Sequence, residues 1–243
     1  MAIDVDYARK QLYIYNRYSA TLQKLNFYPE NGFQNDIAIP LHQGLSRSNV
    51  KIALDWISNN IYWTDPAFRW IALQSLNTYG HYRILVYDNV ERPTGIAVDP
   101  THKYLFWSDV GSLPKIERSS LSGTGRKTIL SQGIAYPIAL DVDIASSKLY
   151  WVDSIRDSVE RSNLDGKERS TVKRMTHTTF SDIEVFFDVV FATDFDSSLG
   201  GKVRLFNKDT GIDDKGWPVF QSTNSEITCV NFYAPQPTIT GLP

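Results

Sequence analysis

The stretch that decides the fold is Asn60-Ile61-Tyr62-Trp63-Thr64-Asp65, because its last four residues recur. Phe106-Trp107-Ser108-Asp109 and Tyr150-Trp151-Val152-Asp153 repeat the pattern of aromatic, Trp, small or β-branched residue, Asp, at intervals of 44 residues. Phe191-Ala192-Thr193-Asp194 follows 41 residues later, and Tyr13-Ile14-Tyr15-Asn16 lies 49 residues before Tyr62. Near-constant spacing of this length is the mark of a repeat architecture.

Each marker sits in the same frame. About ten residues earlier an apolar run ends in an acid: Ile3-Asp4, Ile52-Ala53-Leu54-Asp55, Ile96-Ala97-Val98-Asp99 and Ala139-Leu140-Asp141. A polar hairpin such as Pro100-Thr101-His102-Lys103 comes next. After the marker stand Lys115-Ile116-Glu117-Arg118 and Ser158-Val159-Glu160-Arg161. The turns Ser122-Gly123 and Asp165-Gly166 then lead into Arg126–Leu130 and Glu168–Val172. That makes four short alternating strands per repeat, with no sustained 3.6-residue period. Four strands per 40–50 residues predict an all-β chain built of β-propeller blades.

Strand alternation sends Tyr62 to one face, and Trp63 and Asp65 to the other. The aromatics Tyr62, Trp63, Trp107 and Trp151 are expected to pack between blades. The acids Asp65, Asp109, Asp153 and Asp194 recur in every such blade. They are therefore read as architecture, accepting backbone N–H groups where the strand turns.

Composition excludes several classes. The 243 residues carry 25 Lys+Arg against 27 Asp+Glu, a net charge of −2, which gives no basic footprint for nucleic acid. No run of 18 apolar residues is present, so no direct membrane insertion by this segment is expected, and Met1–Asp6 lacks the cationic and apolar regions of a signal peptide. One cysteine, Cys229, excludes an internal disulfide and a Cys-based zinc site; it reads as a buried thiol in an apolar strand. His42, His81, His102 and His177 fall in apparent loops or hairpins without ligand-like spacing. No nucleophile elbow, P-loop or dinucleotide fingerprint occurs. No catalytic residue, metal or cofactor is expected.

These residues resemble the YWTD β-propeller (class B repeats) of the low-density lipoprotein receptor family. Asp55-Trp56 before Asn60–Asp65 resembles that family's second repeat. Val98-Asp99-Pro100 with Phe106–Asp109 and Pro114–Glu117 resembles the third. Asn163-Leu164-Asp165-Gly166 and Asn207-Lys208-Asp209-Thr210-Gly211 resemble its turns, and Phe232–Pro237 its last inner strand. The resemblance implies a six-bladed propeller over 1–237. Blades are expected at about 2–50, 51–94, 95–138, 139–181 and 182–225, with 226–237 as one inner strand of a partial sixth. Residues 238–243 would begin a linker to an EGF-like module. Five blades and one strand imply an N-terminal truncation. Blade one, with its long segment 28–50 (Pro29, Gly32, Pro40, Gly44), and blade five, with Ala192 in the Trp position and the loop Ser197–Gly201, are expected to pack more loosely.

The resemblance also implies a noncatalytic recognition module of an endocytic or signalling receptor. It would sit extracellularly or in the endosomal lumen, as the ectodomain of a single-pass membrane receptor. Its partners would be extracellular protein ligands or adjacent receptor modules, bound on the face built by residues after each Asp marker and before each inner strand. The candidates there are Tyr18, Phe68, Arg69, Trp70, Tyr136 and Arg156, aromatics beside Arg being the residue types of protein-binding hot spots. Trp70 could instead start a strand and pack inward, and Tyr136 could cover the core. His102 is the candidate for pH-dependent release or docking. In Wnt co-receptor members the face takes an Asn-x-Ile peptide, but Ile138 and Tyr136 stand where those members place Asn and Trp. Alternatives are an adhesive basement-membrane propeller like that of nidogen, and a lactonase-type propeller hydrolase. There is no Asn-x-Ser/Thr sequon.

Overall fold

The computed structural model describes residues 2–28, 37–78, 80–176, 179–196, 200–216 and 221–222. Within them the chain forms five antiparallel four-stranded sheets and no helix. Blade one comprises Ala2–Asp6, Gln11–Asn16, Thr21–Asn26 and Ile39–Gln43. Blade two comprises Lys51–Asp55, Asn60–Asp65, Trp70–Ser75 and Tyr82–Val86. Blade three holds Pro93–Asp99, Tyr104–Asp109, Lys115–Ser120 and Lys127–Leu130. Blade four holds Pro137–Asp143, Lys148–Asp153, Ser158–Asn163 and Ser170–Arg174. Blade five holds Thr179–Phe186, Val189–Asp196, Gly200–Asn207 and Gln221–Ser222. From blade one to blade five, each first strand packs on that of the following blade, and the five first strands line a central cavity of about 560 Å³.

The core lies between blades. Trp63 packs with Tyr13, Tyr15 and Leu22 of blade one, while its neighbour Tyr62 joins Leu105 and Trp107 of blade three. Phe106 meets Trp151, and Tyr150 meets Phe180 and Phe206, in the same alternation. One strand thus feeds two interfaces, each fully buried aromatic being worth roughly 1.5–3 kcal/mol.

Several expectations need correction. The acids equivalent to Asp55 and Asp99 are Asp6 and Asp143, not Asp4 and Asp141. Registers Asp6↔Gln11, Asp55↔Asn60, Asp99↔Tyr104 and Asp143↔Lys148 align them at the hairpin, and the Asp-Val-Asp sequences place a second acid two residues earlier on the same face. His42 lies in a strand, not a loop; its ring sits 5.2 Å from Trp63 and 4.7 Å from Tyr82. Pro40 did not end that strand because it is the sheet's outer one, where a missing N–H costs no ladder bond. Phe180, Ser181 and Asp182 belong to the first strand of blade five, and Phe180 is fully buried. In the second strands of blades one and five, Tyr13, Tyr15, Phe191 and Ala192 are all buried, while Ile14, in the Trp position of blade one, is only partly so. His177, Cys229, Pro29, Gly32, most of the 197–201 loop, and the segments 226–237 and 238–243 lie outside the described residues.

Two devices join the blades that the sequence reading left unassigned. In blade three, Glu117 stands opposite Trp107 and is held by Arg126, whose guanidinium lies 5.6 Å from the indole centroid. Arg126 also donates to the carbonyls of Asp88 and Asn89, in the segment leaving blade two. Blade four repeats this with Trp151, Glu160 and Arg169, which donates to the carbonyls of Gln132 and Gly133. The second device is a turn glycine. Gly166 adopts φ 78°, and a Cβ there would stand 2.2 Å from the carbonyl oxygen of Ile129 in the preceding blade. Only glycine permits both that backbone and that approach.

Candidate functional site

Each blade's second strand runs to one end of the ring, finishing at its marker Asp in blades two to four, at Asn16 in blade one and two residues past Asp194 in blade five. The turn after it and the segment entering the blade share that end; the first hairpin and the later glycine turn share the other. The marker acids tie the first pair together. Asp65 accepts N–H groups from Ser46, at 2.9 Å, and from Ala67 and Phe68. Asp109 accepts from Glu91, Arg92 and Gly111, and Asp153 from Ala135, Tyr136 and Arg156. Asp194 takes the Thr179 N–H and the Arg204 guanidinium. All four are at most 2% exposed. Backbone N–H groups, with the Ser46 hydroxyl at Asp65 and the Arg204 guanidinium at Asp194, occupy their oxygens, so they fix the loops.

On these loops of blades two to four, and on the blade-one turn held by Asn16 Oδ1, stand exposed apolar side chains: Tyr18 (92% exposed), Phe68 (46%), Leu113 (81%) and Ile155 (68%). Phe68 tilts onto Trp70 with ring centroids 4.9 Å apart. Trp70 opens the third strand of blade two and is half-buried. Arg69, exposed at φ 59°, donates its N–H to the Asp65 carbonyl. Tyr136 is half-buried, with the Arg92 guanidinium 5.7 Å from its ring centroid. Arg156 is exposed on the turn after Asp153. Among the described residues, the guanidinium groups of Arg69, Arg92 and Arg156 make no salt bridge. Glu91 is the neighbouring acid; the N–H and hydroxyl of Ser112 bind its carboxylate at 2.6 and 2.7 Å and hold it below the usual range.

The structure therefore places Tyr18, Phe68, Arg69, Trp70, Tyr136 and Arg156 on one end, with Phe68 and Trp70 in contact. His102 stands at the other end. It sits in the first hairpin of blade three, its Nδ1 2.7 Å from Asp99 Oδ2 and its ring stacked on Tyr104. Leu113 and Ile155 are more exposed than Phe68, though less than Tyr18. Their signal was position alone, four and two residues past a marker Asp. Among the described residues, no group of three or more His, Cys, Asp or Glu is arranged to hold a metal ion, and no helix is long and apolar enough to cross a membrane.

The family model for the low-density lipoprotein receptor repeat class B matches residues 59–100 and 103–144. Residues 59–144 thus carry low-density lipoprotein receptor class B repeats. These residues span the body of blade two, all of blade three and the start of blade four, where the Tyr-Trp-Thr-Asp pattern is fullest. The vitellogenin receptor of Solenopsis invicta is 27% identical over 199 residues, 82% of this chain and 10% of that receptor. Vitellogenin receptor Yl of Drosophila melanogaster is 35% identical over 142 residues, covering 58% of this chain and 7% of its own length. The human low-density lipoprotein receptor-related protein 5-like protein is 31% identical over 121 residues, half of this chain and 48% of that protein. The chain thus spans a tenth or less of the vitellogenin receptors it matches. A chain of the nidogen/laminin complex superposes with TM-score 0.78 at 21% identity, covering 91% of this chain and 79% of the other. A luciferin-regenerating enzyme superposes with TM-score 0.69 at 14% identity, covering 96% and 80%. At these identities the likeness extends to the fold.

Proposed function

We propose that this propeller is a noncatalytic, extracellular protein-recognition module of a lipoprotein-receptor-like protein, binding a protein partner on the end that carries Phe68, Arg69 and Tyr136. The observation that carries the reading is the combination found there: exposed Tyr18, Phe68, Leu113 and Ile155 beside arginines without salt bridges, on loops pinned by buried Asp. Aromatic and Arg side chains on preorganised loops are what binding hot spots are made of, and ordering costs little where the backbone is already held. The similarity to vitellogenin receptors and to the receptor-related 5-like protein supports the receptor context.

The reading includes a sixth blade between blades five and one, begun by 226–237. It is supported by the face of blade one that carries Val5, Leu12 and Phe27. There Ile14, in the position Trp63 holds in blade two, remains partly exposed. His102, remote from the recognition end and paired with Asp99, belongs to this reading only as a secondary pH-responsive contact.

The test is capture of proteins from extracellular fluid by the immobilised chain at neutral and mildly acidic pH. A Phe68/Arg69/Tyr136 triple alanine variant runs in parallel with a His102→Ala control on the opposite end. A partner lost in the triple variant and kept by the control supports the reading, and capture of a laminin-type module would shift it to an adhesive role. A folded chain that captures the same partner through the His102 end, or captures none, overturns it.

A further inference from the structure

The central cavity carries charge that the recognition end does not use. Asp4 from blade one, Asp141 from blade four and Glu184 from blade five all line it. Asp4 accepts the N–H of Val5 and, across the blade boundary, that of Leu54 at 2.7 Å. Asp141 does the same with Val142 and with Val185 of blade five, at 2.6 Å. Two carboxylates thereby stitch first strands together, blade one to two and blade four to five. Glu184 stands beside the second stitch and makes no hydrogen bond among the described residues.

Among the described residues, the charged groups acting on Glu184 and Asp141 are acidic. Glu184 meets Asp141, Asp4 and Asp182, and Asp141 meets Asp4 and Asp143. The blade-three wall, Gly95–Val98, is uncharged. Lys51 on blade two is committed at the channel wall to the Ser181 carbonyl and Asp182 Oδ1, both at 2.9 Å. Lys208 is committed to Asp143 Oδ2 at 2.7 Å, with Asp188 at 3.8 Å. Neither lysine is left to neutralise Asp141 and Glu184. Like charges gathered where water is scarce repel strongly, and proton uptake is the cheapest relief.

We propose that the channel is a proton-operated brace: protons taken up by Glu184 and Asp141 relieve repulsion between blades one, four and five, so the ring is more stable in mildly acidic than in neutral solution. Burial pushes the Asp141 carboxyl up to about 7 against the two N–H bonds that favour its charge, with Asp4 and Asp143 adding to the rise. Burial, then Asp141, Asp4 and Asp182, push Glu184 well above the carboxylate range. A carboxyl raised on folding stabilises the fold fully below its unfolded range, near 4. That contribution is lost as pH rises towards the folded value, so the window runs from about 4 to about 7. This inference is independent of what the recognition end binds.

The test is thermal unfolding of the whole chain and of Glu184→Gln between pH 5 and 8, with carboxyl ¹³C titration of the unsubstituted chain. Glu184→Gln is expected to melt higher than the parent at pH 8, by about 3 °C or more, and to lose that advantage at pH 5. Glu184 is expected to titrate well above the ordinary carboxylate range. If Glu184 titrates in the ordinary carboxylate range, or if the Gln variant differs from the parent equally at both pH values, the brace is overturned, whatever the fate of the recognition end.

Discussion

The two ends of the propeller use the same residue types for opposite purposes. At the hairpin end, charges are spent on neighbours. Arg118 reaches the Leu164 carbonyl and Asp165 of the next blade, Arg161 reaches the Lys208 carbonyl and Asp209, and Arg9 pairs with Asp6 while reaching the Trp56 carbonyl. At the other end Arg17 is spent on the Arg47 carbonyl and Arg204 on Asp194, but Arg69, Arg92 and Arg156 make no salt bridge among the described residues, and the marker acids are buried under backbone N–H groups. Arginine committed to a carbonyl in the next blade is a fastener. Arginine beside an exposed aromatic on a pinned loop is available to a partner.

Substitutions at the fasteners should lower stability, and those at the open end should spare it. The largest loss is expected for Arg169→Ala, which leaves Glu160, 3% exposed, without its cation. Removing one member of such a pair costs roughly 3–5 kcal/mol. Urea unfolding should show this, with the Glu160→Ala/Arg169→Ala double variant losing less than the sum of the singles. Gly166→Ala should cost about 2–3 kcal/mol, because it forces a side chain into a left-handed backbone and against Ile129. Its unfolding midpoint should fall with an unchanged denaturant slope. At the open end, Arg156→Ala should stay within about 0.5 kcal/mol of the parent. Arg69→Gly should gain up to about 1 kcal/mol, since Arg69 holds φ 59° that glycine adopts without strain. A loss above about 1.5 kcal/mol at either open-end site would erase the contrast between the ends.

Much of this was legible in the sequence and some of it could not be. Spacing alone placed the second strand of every blade, since a buried Tyr or Phe feeding one interface recurs in all five and a buried Trp feeding the other recurs in blades two to four. The strand of His42 was not legible, because Pro40 and Gly44 read as breakers and only the packed sheet reveals that it is an outer strand. The Asp-Val-Asp sequences hid a register choice that the hairpin pairing decides, and with it the channel role of Asp4 and Asp141. The loop positions of Phe68, Arg69 and Tyr136 followed from topology. Which arginines are fasteners and which are open depends on distances between blades that no local pattern encodes.

The most direct test of the division between the ends is hydrogen–deuterium exchange of the chain with and without its captured partner. New protection is expected in the turns around 66–70, 110–114 and 154–157 and in the segments around 91–92 and 135–136. Protection confined to the hairpins around 99–104 and 143–148 would contradict it.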